Sequence, residues 1–193
     1  MKKYFLLTAI ILMCSLLSNA QSKVWINSSD NSNLGFTIKH LAITKVKGHF
    51  EDYNIKVTTT NADYTDAEVR LTAKAASINT NSSSRDKLLR EKNFFDTDNY
   101  PLLVFKSTSA NNINTKKGFM SGDLTMHGIT KPITLTVKYL GLVINPINKK
   151  ETISFKVTGT VKRSDYTIGP KHSGAILSNK VKIVATVEFI PYE

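Results

Sequence analysis

The stretch "TISFKVTGTVKR" (Thr152–Arg163) decides the fold. Ile153, Phe155, Val157, Gly159 and Val161 share one face of an extended chain, and Ser154, Lys156, Thr158, Thr160 and Lys162 share the other. An alternation of period two, apolar against polar, is the mark of a half-buried antiparallel strand. The same pattern recurs on either side. "AEVRLTAKAASI" offers Val69, Leu71, Ala73 and Ala75; "PITLTVKYLG" offers Ile133, Leu135, Val137 and Tyr139; "NKVKIVATVEFIPYE" offers Val181, Ile183, Ala185, Val187 and Phe189. Weaker strands are expected over Val24–Asn27, Asn33–Lys39, Val46–Thr59, Leu102–Ala110 and Gly118–His127. Turn-rich runs such as "TNADYTD", "NNINTKKG" and "NPINKKE" separate them. Eight or nine strands joined by short turns give an all-β sandwich or barrel.

One segment breaks the alternation. "SSSRDKLLREKN" (Ser82–Asn93) opens on serines suited to N-capping, carries Asp86 in its first turn, and has one apolar stripe at Leu88 and Leu89. It is expected to form a short helix, and "KHLAI" (Lys39–Ile43) a second helical turn. One inserted amphipathic helix suggests a closed barrel with a cap, since eight strands can enclose side chains alone or one small ligand. Phe94 and Phe95 follow the helix directly. Adjacent side chains diverge, so one ring can join the core while the other faces a lumen, or both can fill core.

The chain opens "MKKYFLLTAIILMCSLLSNAQS", with a positive start, a short apolar run and small residues at Ser18–Ala20. This predicts a secretory signal at residues 1–20, cleaved after Ala20, and a single domain over 21–193. Periplasmic or secreted localisation follows from it. Cys14, the only cysteine, falls in the leader, which excludes disulfides and thiolate chemistry from the domain. The formal charge is +11, or +9 once Lys2 and Lys3 are removed. A basic exported protein can be drawn to an anionic membrane surface. Nucleic acid is not an expected partner, because the lysines are spread along strands with no arginine cluster. His40, His49, His127 and His172 lack metal-ligand spacing. No nucleophile elbow, phosphate loop or cofactor fingerprint is present, so the lumen calls for binding rather than catalysis.

Four segments then carry a resemblance: "LGFTIKHLAITKVKGHFEDY" (Leu34–Tyr53), "ASINTNSSSRDKLLREKNFFDTDNYPLLVFKST" (Ala76–Thr108), "GDLTMHGITKPITLTV" (Gly122–Val137) and "VKRSDYTIG" (Val161–Gly169). Together they resemble the YceI-like family of polyisoprenoid-binding, lipocalin-like periplasmic proteins. The resemblance implies an extended eight-stranded antiparallel barrel with one or two short helices capping or flanking the lumen. It implies a tunnel for a long lipid such as a polyisoprenoid, an isoprenoid quinone precursor or a fatty-acyl chain, with no catalytic residue, cofactor or metal. Placed on the matched segments, Phe36, Leu41, Leu88, Phe94, Phe95, Phe105 and Phe119 are the candidate wall, and Arg85 the candidate headgroup contact. Arg163, Ser164 and Asp165 are expected to form a buried polar knot at a barrel end. Homodimers occur among relatives, and no interface is legible here. An enzyme acting on a lipid-like substrate in the same lumen, and an interaction domain filled by its own side chains, remain the alternatives.

Overall fold

A computed structural model describes residues 22–61 and 63–192, so the expected export signal lies outside the described residues. Eleven strand segments follow in order: β1 (Lys23–Asn27), β2 (Asn33–His40), β3 (Thr44–Phe50), β4 (Tyr53–Thr59), β5 (Glu68–Lys74), β6 (Ile78–Asn79), β7 (Leu102–Asn111), β8 (Gly118–Met126), β9 (Ile129–Ile144), β10 (Glu151–Lys162) and β11 (Leu177–Pro191). A helix, α1 (Ser83–Arg90), sits between β6 and β7.

All pairings are antiparallel, and eight segments close a ring in the order β1-β4-β5-β7-β8-β9-β10-β11, with β1 returning to β11. The remaining segments extend this barrel on one side. β2 pairs with the first half of β11, β3 with β2, and β6 with the end of β3. The run Val46–Thr59, expected as one strand, breaks at Glu51–Asp52 into β3 and β4. The break lets the upper half leave the ring and pair elsewhere.

The opening stretch lies where its alternation places it. Ile153, Phe155 and Val161 of β10 are buried, and Lys156, Thr160 and Lys162 are exposed. The twelve residues of β10, at ~3.3 Å rise and a tilt of ~40°, span roughly 30 Å along the barrel axis. The helix forms close to its expected limits. The second helical turn does not. Leu41 (φ 51°) and Ala42 (φ 59°) both sit in the left-handed region and make a tight turn between β2 and β3. Leu41 is 54% exposed there, so it lies off the tunnel wall, contrary to its assignment as a wall residue.

The ends of the barrel differ. The lower end carries the β4–β5 loop, where the Asp66 carboxylate accepts hydrogen bonds from the Thr59 hydroxyl (2.5 Å), the Thr60 hydroxyl and the Thr60 amide (2.7 Å). These bonds, led by that of Thr59, hold its pKa well below the usual carboxylate range. The upper end carries the β2–β3 turn, α1, and the segment between β10 and β11.

Candidate functional site: a blind apolar tunnel

The inward residues do not fill the barrel. They enclose a cavity of about 500 Å3, walled almost wholly by aliphatic and aromatic side chains. That volume lies within the usual ligand-pocket range of about 300–1,000 Å3. At the lower end the lining residues Trp25, Ala67, Ile113, Val137 and Phe155 are all buried. At the upper end the lining includes exposed residues: His40 on β2, Leu88 on α1 and Ile176 before β11. The tunnel is therefore blind below and open above.

Glycine makes room for the wall. A Cβ on Gly122 of β8 would meet the Phe105 ring at 2.4 Å, and one on Gly48 of β3 would meet Phe36 at 2.5 Å. Each ring lies against a neighbouring strand because that strand has no side chain there.

Six of the eight candidate site residues line the cavity. Phe36 and Phe105 stand on strands, Leu88 and Arg85 on α1, and Phe94 and Phe95 on the turns that follow α1. The two adjacent rings diverge, and both reach the lumen. Phe94 is 4% exposed and packs beneath the mouth, 5.2 Å from the His172 ring and 3.0 Å from where a Cβ on Gly169 would lie. Phe95 packs edge-on to Phe50 at 5.9 Å. Leu41 and Phe119 are absent from the wall. In β8 the even positions Gly118, Met120, Gly122, Leu124 and Met126 are buried, which turns Phe119 outward, 39% exposed, beneath the Lys117 ammonium at 5.8 Å.

Leu88→Asp and Phe94→Asp are expected to separate. Leu88 is 43% exposed at the mouth, so an aspartate there stays solvated and the fold survives while lipid loading falls. At Phe94 a carboxylate would be buried without a partner and would prevent stable folding. Circular dichroism melts together with the lipid content of each variant check this.

Two arginines frame the mouth. The Arg85 guanidinium donates through Nε to the Thr80 hydroxyl and through Nη2 to the Thr80 carbonyl, both at 2.8 Å. Asp86, buried beside it, accepts from the Thr80 amide (2.9 Å) and hydroxyl (2.5 Å), which fixes the hub on which Arg85 rests. Among the described residues the cation–carboxylate pairs are Lys23–Glu151 and Lys74–Asp52, with His49 beside Glu51, so Arg85 lies in none of them. A cation thus borders an apolar cavity with no carboxylate paired to it.

Arg163 is 6% exposed and lines the same cavity. It donates to the carbonyls of Gly169 (2.6 Å), His172 (2.5 Å), Ile168 (3.0 Å), Leu177 (3.0 Å) and Ser178 (3.3 Å). It clamps the segment that forms one lip of the mouth. Burial pushes its pKa down, although an arginine remains charged. Ser164 and Asp165 are exposed, so the expected polar knot is Arg163 with backbone carbonyls alone. Sequence reasoning also missed Thr80 and Trp25. Trp25 is 3% exposed at the blind end, and its indole N–H finds no acceptor among the described residues. No cluster of three or more histidine, cysteine or carboxylate side chains suited to a metal occurs among the described residues.

A closed eight-stranded antiparallel barrel around a one-mouthed apolar tunnel defines a hollow binding barrel as the class of the protein. The YceI-like domain model matches residues 25–189, and the chain belongs to that family. UPF0312 protein SA2479 of Staphylococcus aureus (strain N315) is 33% identical over 163 residues, covering 82% of this chain and 92% of that one. A crystal structure of the Campylobacter jejuni YCEI protein superposes with a TM-score of 0.72 at 33% identity, covering 81% of this chain and 91% of that one. A polyisoprenoid binding domain from Saccharophagus degradans, implicated in plant cell wall breakdown, shares the fold with a TM-score of 0.63 at 15% identity, covering 89% of this chain and all of that one.

Proposed function

We propose that this protein is a non-catalytic carrier or store that holds one long amphiphilic lipid in its tunnel, outside the cytoplasm. The ligand class is a polyisoprenoid, an isoprenoid quinone precursor or a fatty-acyl chain. The observation that carries this reading is the continuous apolar cavity with a single mouth. The likeness of its fold to a domain named for polyisoprenoid binding supports it. A filled interaction domain would have no such cavity.

The energetics favour a chain. Each CH2-sized group moved out of water contributes about 0.8 kcal/mol. Ordering and desolvation hold real affinities below about 20 kcal/mol, so a chain of dozens of carbons binds tightly and leaves slowly. Arg85, at the mouth, is placed to take an anionic headgroup in bidentate fashion, tail inward.

Two measurements test the reading. Organic extraction of the purified protein followed by mass spectrometry should return one long-chain lipid per barrel. Trp25 is the only tryptophan in the sequence, and it marks the blind end. A fatty acid brominated on its terminal carbon should quench most of the Trp25 emission, and one brominated beside its carboxylate should quench little. No extractable lipid together with no quenching by either probe would sink the carrier.

A further inference from the structure

The rim of the mouth has a composition that the tunnel itself does not need. Ile43 is 87% exposed and Leu41 54%, both at the β2–β3 turn. Ile176 is 46% exposed on the opposite lip, and its carbonyl accepts from the Leu41 amide at 2.8 Å, which ties the two lips together. Leu88 adds a fourth exposed apolar side chain on α1. These four side chains share one rim, and His40, Leu88 and Ile176 belong to both rim and lumen.

The rim is also basic. Asn33–Phe50 carries Lys39, Lys45 and Lys47 and no carboxylate. Tyr166–Val187 carries Lys171, Lys180 and Lys182 and again none. The lower end is mixed: Asp63, Asp66, Glu68 and Glu151 lie there among Lys116, Lys117, Lys149 and Lys150 of the β7–β8 and β9–β10 turns. Two long stretches without a carboxylate thus border the mouth, while the opposite end mixes both signs.

The turn itself is strained. Leu41 and Ala42 adopt left-handed backbone that glycine, asparagine or aspartate would occupy at lower cost. Strained backbone of this kind clusters at functional sites. Here the strain holds a leucine in solvent, where it contributes nothing to the core.

We propose that the mouth docks on an anionic lipid bilayer. Leu41, Ile43 and Ile176 enter the headgroup region, and the surrounding lysines meet lipid phosphates. Apolar insertion combined with a polybasic surround is what stable interfacial binding requires. Docking would set the open end of the tunnel directly against the membrane, so that a lipid passes between bilayer and lumen without crossing water. The inference rests on the carrier reading for its purpose, but not for its test.

A rival surface lies at the opposite end. The β9–β10 hairpin exposes Ile144 (55%) and Ile147 (91%). The test must therefore separate the two ends. Protein isolated after export, with its processed N-terminus checked by intact mass, is sedimented with vesicles of phosphatidylcholine alone or with phosphatidylglycerol added. Binding is expected only to the anionic vesicles, weakening as salt rises. L41D/I43D should lose at least tenfold in vesicle affinity and keep its extractable lipid. Aspartate tolerates the left-handed backbone, so the turn survives the change. I144D/I147D should bind as the unmodified protein does. Equal binding to neutral vesicles, no binding to either, or loss confined to I144D/I147D overturns the proposal. Lipid absent from the protein while vesicle binding persists would overturn the carrier and leave the docking surface standing.

Discussion

Arg163→Met is expected to lower stability by about 3–5 kcal/mol, among the largest effects of any single change in this chain. Methionine reproduces the apolar stem as far as the position of Nε and cannot donate. Five carbonyls between Ile168 and Ser178 would lose a donor at once, in a position only 6% exposed, and that of Gly169 keeps the His172 amide at 3.1 Å. Each buried acceptor left unpaired costs about 1–3 kcal/mol, and relaxation of the lip recovers part of the sum. In a domain of this size the melting temperature should fall by about 6–20 °C. Lysine offers three donors around a compact ammonium and should restore only part of the loss. Urea denaturation of the three proteins is the measurement. A change below about 1 kcal/mol for methionine would mean that the lip is held by something other than Arg163.

Ala185→Trp should abolish lipid loading with the barrel intact. Ala185 is 3% exposed on β11, opposite Val157 on β10 and Leu34 on β2, and all three line the cavity. An indole there enters empty space rather than a packed core, so the usual cost of overpacking, about 1–3 kcal/mol, should largely be avoided. A ligand denied about five CH2-sized groups below the obstruction would lose about 4 kcal/mol, or roughly a thousandfold in affinity. Extraction should return little lipid, and the lipid-free variant should melt at or above the temperature of the lipid-free parent. Full loading of a folded variant would place the ligand outside the tunnel.

Much of the barrel was legible in the sequence because inward and outward faces alternate along a strand. In β10 and β11 the apolar parity of the sequence is the buried parity of the structure. The same signal was available against Phe119: Met120, Leu124 and Met126 share the opposite parity, so an aromatic at an odd position belongs outside. Leu41 carried no such warning, since nothing local announces a leucine in a left-handed turn. The break at Glu51–Asp52 was equally silent, because a strand that changes partners keeps its alternation on both sides.

The sequence by itself determined the class of fold, the strand faces and the helix beside the lumen, since each follows from the spacing of residues close along the chain. Tertiary structure alone decided that the interior is hollow, that one end is blind, and that Arg163 bonds carbonyls while Arg85 borders the mouth. Those outcomes depend on how β1 meets β11 to close the ring and on segments that approach only once it has closed, which no local pattern encodes.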